Sequence, residues 1–322
     1  MADLTRHKVR GLTPADLAVA LPPPVDAETL APAPPEETDA PTSVEIADDD
    51  PILVRVKELL GIYGGVLFTG PPGTSKTYYA EQVALAIAGD PHRVRIVQFH
   101  PSYQYEDFME GYVATDDGYQ VRLKHFALIC RDAREDPEAY HQYVLVIDEL
   151  SRSDPGRVFG EALTYMERTK RGKKFRLASG TELSVPPNVH IVATMNPHDR
   201  GVDQVDAALG RRFAKYRMDP NASILDSFLR DQGMAELLRL QVLAFFEQAN
   251  AAAKAGRNPH AVVGQTYFLN VKDIADLNRL WEHDLRFHFE RAYQLDPDGL
   301  AAVRRAWDAA LAEPEPGGAP PG

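Results

Sequence analysis

The sequence predicts an α/β fold, with a parallel sheet flanked by helices and a small C-terminal helical domain after it. Three observations predict this. Short, nearly continuous apolar runs recur at Val66–Phe68, Val94–Phe99, Tyr143–Ile147 and Val189–Thr194. Runs of this length suit strands buried on both faces, as in a parallel sheet with crossover helices. Helical spacing lies between them, at Leu53–Leu60, Tyr78–Ala88 and Val158–Glu167. After about Ser223 only helical spacing remains, as in Leu237–Phe246 and Ile274–Tyr293.

Taken in chain order, residues 1–50 hold eleven acidic and three basic residues and become Pro-rich from Leu21. Such a stretch buries too little apolar surface to offset its ordering entropy, so a disordered arm is expected. Within it, Leu12–Leu21 has the pattern of a short helix that docks elsewhere. The core is expected over 51–220, the helical lid over 221–312 and a Pro/Gly tail over 313–322. Two hairpins interrupt the core. Tyr112–Val121 turns at Asp117-Gly118 and Phe175–Val185 turns at Ser179-Gly180, both good turn dipeptides.

Composition narrows the class. With 44% hydrophobic residues in 322, the chain can bury one large core or a large and a small one. Cys130 is the only cysteine, so a disulfide scaffold is excluded and a small buried hydrophobe is expected there. No apolar run approaches the roughly 18–20 residues of a membrane span, and no apolar segment follows a basic start. A cytoplasmic protein without a membrane partner is expected. The net charge of −12 lacks the basic footprint of a nucleic-acid binder, so any such contact would be local.

The chemistry begins at Gly70-Pro-Pro-Gly-Thr-Ser-Lys-Thr77, which follows a strand and opens a helix. It matches G-x-x-x-x-G-K-[ST] except that Ser75 takes the place of the second glycine. Backbone N–H groups at such a loop-to-helix junction converge on an anion, aided by the helix N-terminus. The phosphate-binding stretch is therefore Gly70, Pro71, Pro72, Gly73, Thr74, Ser75, Lys76, Thr77 and Tyr78. Lys76 is expected to reach the β- and γ-phosphates and the Thr77 hydroxyl to ligate Mg²⁺. The bland alternative is a Gly/Pro turn before an ordinary helix.

Three further elements follow. Tyr143–Ile147 ends in Asp148-Glu149, where the first acid suits holding Mg²⁺ and the second suits activating water. Sharing one phosphate would put this strand next to that of the loop. Ile191–Met195 ends in Asn196, which suits orienting the water or the γ-phosphate, or capping the next turn. Gly210-Arg211-Arg212-Phe213 offers an arginine finger to a neighbouring subunit, or a plain surface pair.

With these elements in order, about Pro51 to Tyr293 resembles an AAA+ nucleotide-hydrolysing module. The family it is most similar to is the McrB-like branch, the motor subunits of modification-dependent restriction systems; MoxR-type chaperone ATPases are next. Gln98–Tyr112, Met195–Arg200, Gly264–Leu269 and Trp281–Leu285 carry this likeness. The resemblance implies an α/β AAA+ core with a helical lid, an ATP or GTP site with Mg²⁺, and a homo-oligomeric ring, a hexamer by expectation. It assigns γ-phosphate sensing to Asn196 and the trans finger to Arg212, with Arg211 beside it. It sets Asp199 and Arg200 facing a subunit junction or a partner and turns the two hairpins toward a central pore. It also implies a remodelled client protein or nucleic-acid complex, or a nuclease partner, since no nuclease constellation or DNA-reading module is visible in this chain.

The remaining features are weaker. Lys170–Arg176 is the one basic cluster, read first as a solvated hairpin arm balanced by Glu161 and Glu167, and second as pore lining or a nucleic-acid contact. Tyr103, Tyr105 and Phe108 are expected to pack. His100, His198 and His260 lack metal-ligand spacing. Two alternatives to a motor stay open: a MoxR-like chaperone ATPase, and a nucleotide-gated scaffold with little hydrolysis, which Ser75 favours.

Overall fold

The computed structural model describes residues 43–115, 118–197 and 202–311. Five strands, β1 (Gly65–Thr69), β2 (Val94–Gln98), β5 (Tyr143–Asp148), β8 (Val189–Met195) and β9 (Phe213–Arg217), form a sheet in the order β2-β5-β8-β1-β9. Every pairing in it is parallel. Helices α1 (Pro51–Ile62), α2 (Lys76–Ala88), α3 (His125–Glu135) and α4 (Val202–Leu209) belong to this α/β unit. One apolar layer joins α1 and α2 to β1, through Leu53, Val56, Phe68 and Val83. The other lies on the opposite face and holds Leu67, Phe126, Leu145, Phe159 and Ile191. β1, β5 and β8 are therefore buried on both faces, which is why their sequences read as continuous apolar runs.

The sheet order corrects one expectation. The strand of the loop and the strand of the two acids are not neighbours, because β8 lies between them. All three still end on the same edge, since parallel strands share direction. β9 had no apolar run to announce it. As an edge strand it is buried at Phe213 and Ala214 but exposes Lys215 and Arg217.

Residues 43–50, within the expected arm, touch the core. The Glu45 N–H donates to Gln82 at 2.6 Å, and Ile46 packs on the α1/α2 layer. The Asp50 carboxylate caps α1 by accepting from Ile52 and Leu53 N–H, with Pro51 in the first turn. Residues 1–42 and 312–322, with the Leu12–Leu21 helix and the tail, lie outside the described residues.

The hairpins are β3 (Glu110–Thr115) with β4 (Gly118–Leu123), and β6 (Lys174–Arg176) with β7 (Glu182–Ser184). Asp117 lies outside the described residues. Gly180 supplies the positive φ of the second turn. The two are joined: the Glu110 carboxylate accepts from the Ser179 N–H (2.7 Å) and hydroxyl (2.6 Å). The single helix expected over Val158–Glu167 is broken at Gly160, whose φ of 48° ends the segment Pro155–Phe159 before Ala162–Tyr165 begins.

Arg171 corrects the reading of Lys170–Arg176 as a solvated arm. Its guanidinium is buried and donates to the carbonyls of Met166, Pro186, Val189 and Gly64, and burial lowers its pKa to about 10. Lys170 pairs with Glu167 and Lys174 with Glu182. Cys130 is buried, which raises its thiol pKa to about 12. Tyr103 stacks on Phe99, and Phe108 is fully buried.

The C-terminal domain comprises α5 (Ala222–Asp231), α6 (Glu236–Ala255), α7 (Ile274–Leu280), α8 (Arg286–Ala292) and α9 (Pro297–Leu311). A π-turn, Trp281–Leu285, joins α7 to α8. It has its own core, centred on Phe245, Phe289 and Trp307, with Trp281 stacked on Trp307 at 4.8 Å. Among the described residues, no helix is long and apolar enough to cross a membrane.

Candidate active site

β1 delivers the loop at the carboxyl edge of the sheet. Thr69 O accepts from Met218 N–H at 2.7 Å, and a Cβ on Gly70 would lie 2.1 Å from Met218 O, so no side chain fits there. Gly73 adopts φ 78°. The Thr74 hydroxyl donates to Pro71 O at 2.9 Å and closes the turn. The Lys76 ammonium lies inside the loop, donating to Gly70 O at 2.9 Å and Pro71 O at 2.8 Å.

Ser75 ends the loop with φ 64° and ψ 25°, a left-handed conformation that explains why the pattern wants glycine. A side chain there costs about 1 kcal/mol. The Ser75 hydroxyl does not project into solvent. It accepts from the side-chain amide of Gln265, a helical-domain residue only 1% exposed, at 3.1 Å.

Across the cleft, Asp148 Oδ1 accepts from the Thr77 hydroxyl at 2.9 Å and from the Thr194 hydroxyl at 2.5 Å. Thr194 also accepts from the Glu149 N–H at 3.1 Å. One hydroxyl of β8 thus orders both acids at the end of β5, which is how the intervening strand serves the site. Glu149 takes a left-handed backbone conformation (φ 55°), held by this bond and by Arg152 N–H donating to its carbonyl at 2.9 Å. Strain of this kind collects at functional sites. The Glu149 carboxylate pairs with the Arg152 guanidinium at 3.3 Å.

A cleft of about 440 Å³ opens beside these groups. Pro72 to Tyr78, Glu149, Arg152, Thr194, Asn196 and Thr266 line it. At its rim, Tyr78 donates its hydroxyl to the Glu45 carboxylate at 3.1 Å; burial and that carboxylate raise the phenol pKa to about 12. A larger cleft of about 600 Å³ opens beside Pro71 toward α6, but neither Lys76 nor Glu149 lines it. Thr77 Oγ1 and Asp148 Oδ1 are hard oxygen donors converging on one point, a set that fits Mg²⁺ completed by phosphate and water.

The structure separates the two arginines. Arg211 is exposed (77%), reaching the edge of Glu167 at 3.5 Å. Arg212 is tucked in (12% exposed), donating to Ala208 O and pairing with Glu167 at 3.4 Å. Asp199 and Arg200, with His198, lie outside the described residues. Sequence reasoning missed Thr194, Arg152 and Gln265. A threonine inside an apolar strand and an arginine three residues after the second acid were the signals for the first two.

Residues 65–213 match the AAA domain (dynein-related subfamily). The chain is 38% identical over 169 residues to the type IV methyl-directed restriction enzyme EcoKMcrB subunit of Escherichia coli (strain K12), covering 50% of this chain and 36% of that protein. This chain carries an AAA+ module of the McrB-like branch. It belongs with the P-loop NTPases, and the sheet and loop described above are those of that fold. A second relative is the type II restriction enzyme BsuMI component YdiS of Bacillus subtilis (strain 168), 27% identical over 185 residues, 45% of this chain and 54% of that protein. The chain thus spans about a third and about half of the lengths of these two relatives.

Proposed function

We propose that this AAA+ module hydrolyses ATP or GTP with Mg²⁺ at the interfaces of a ring, and that turnover remodels a partner, as the motor component of a restriction-type system. The observation that carries the reading is the convergence of Lys76, Thr77 and Glu149 on one cleft from the ends of β1 and β5, with Asp148 hydrogen-bonded to Thr77 beside it. Lys76 would exchange the Gly70 and Pro71 carbonyls for charged phosphate oxygens, which are stronger partners for a cation than neutral carbonyls. Thr77 and Asp148 would hold Mg²⁺, which when bound neutralises charge on the phosphate oxygens. Glu149 would take the proton of the attacking water and Asn196 would orient that water. An arginine from the neighbouring subunit would complete the site. Of the pair, Arg211 is the better exposed, so we favour it as the finger and give Arg212 a role in shaping the surface behind it.

DNA cleavage, where it occurs, would come from a nuclease partner, and the joined hairpins suit a pore-facing unit. Both relatives being restriction components supports this over a chaperone. The experiment is steady-state phosphate release at increasing protein concentration, with ATP and with GTP. Specific activity that rises with concentration supports assembly-dependent turnover. Binding without turnover at every concentration supports instead a nucleotide-gated scaffold, which the non-glycine Ser75 favours.

A further inference from the structure

The helical domain does not merely lie near the phosphate loop; three consecutive residues of it are built into the loop. Gly264 has no room for a side chain, since a Cβ would sit 2.1 Å from the Gly73 carbonyl carbon and oxygen. Thr266 N–H donates to Gly73 O at 2.9 Å. Between them Gln265 donates to the Ser75 hydroxyl and accepts, at 3.4 Å, from the N–H of Asn221. Asn221 is the residue that caps α5 and joins β9 to the helical domain. The Gln265 amide therefore spans the loop, the inter-domain junction and the helical domain, and it is buried.

We propose that Gln265 is a positioning residue for hydrolysis, acting through Ser75, so that the serine is a coupling element and not a tolerated defect. Ser75 is where the loop turns into α2, one residue before Lys76 and two before Thr77. A glycine there would take the left-handed turn freely but would offer the helical domain no hydroxyl to hold. A serine there leans on its hydroxyl bond, and that bond exists only while the helical domain is seated. Seating of the helical domain thereby governs the backbone that presents Lys76 and Thr77 to the nucleotide.

The inference rests on reading the loop as the phosphate site. The test is kcat and KM for MgATP and MgGTP of the full chain with S75G, S75A, Q265L and S75G/Q265L, with K76A as control. Melting curves report folding, and S75G carries the test should Q265L fail to fold. Expected are roughly 5-fold or larger losses of kcat in S75G, S75A and Q265L, with KM little changed and no further loss in the double variant. Parent-like or higher kcat in S75G, a rise in KM alone, or losses that add in the double variant would overturn it. K76A that retains full turnover would instead remove the reading of the loop itself; turnover lost in K76A but kept in S75G removes only the present inference.

Discussion

The Thr77 hydroxyl donates to Asp148 at 2.9 Å, joining two residues 71 positions apart in the chain. One lies in the first turn of α2, just after the loop from β1, and the other ends β5, two strands away. Nothing local brings them together. The sheet does, by ending its parallel strands on one edge, and Thr194 on the strand between fixes the carboxylate from the other side.

Removing the Glu149 carboxylate while keeping its shape should stop chemistry and spare binding. For E149Q we expect turnover to fall by at least about 100-fold, the usual contribution of a general base. Nucleotide affinity, by fluorescence titration, should stay near that of the parent. Parent-like turnover would mean that another group activates the water.

The two arginines should separate cleanly. R211A removes an exposed side chain, so we expect little change in melting temperature but a loss of roughly 10³-fold in assembly-dependent turnover, the lower end of what a finger supplies. R212A removes a largely buried guanidinium that pairs with Glu167 and donates to Ala208 O, and should cost about 1–3 kcal/mol of stability. Chemical denaturation alongside phosphate release distinguishes them. Equal stability losses with equal activity losses would argue that neither acts in trans.

Arg171 predicts a purely structural effect. Its guanidinium ties the base of the β6–β7 hairpin to the Gly64 carbonyl just before β1. R171M keeps apolar volume but leaves buried carbonyls unpaired, for a loss of about 2–4 kcal/mol in denaturant melts. Unchanged stability would show that water replaces the guanidinium.

His190 gives the fold an acid-sensitive point. Burial, with Arg168 and Arg171 nearby, lowers its pKa from 6.5 to about 4, and its ring bonds Gln142 at 2.8 Å. The unfolded chain therefore binds this proton first on acidification. The contribution is fully present above pH 6.5 and is lost as pH falls toward 4. Thermal melts from pH 7 to 4.5 should fall more steeply for the parent than for H190Q. Parallel curves would contradict this.

Much of this was legible in the sequence, for physical reasons that differ by residue. β1, β5 and β8 are buried on both faces, so their apolar runs announced them, and the loop's spacing is dictated by how backbone N–H groups close around an anion. β9 was not legible, because it lies at the sheet's edge and the exposed Lys215 and Arg217 break its apolar run. The position of β8 between β1 and β5 is a property of sheet order, which no local run encodes. Arg171 read as solvated because composition cannot reveal four carbonyls converging from distant segments. Gln265 was invisible for the same reason: its partner is 190 residues away. Ser75 was seen as a departure, but only the fold supplies the amide that accommodates it.

The proposed role requires this cleft to hold a nucleoside triphosphate with its metal. Equilibrium titration of a fluorescent ATP or GTP analogue into the purified chain, with and without Mg²⁺, tests it most directly when paired with K76A. Saturable binding that strengthens with Mg²⁺ and is lost in K76A is the predicted result; no binding of either nucleotide, or equal binding by K76A, would contradict the account.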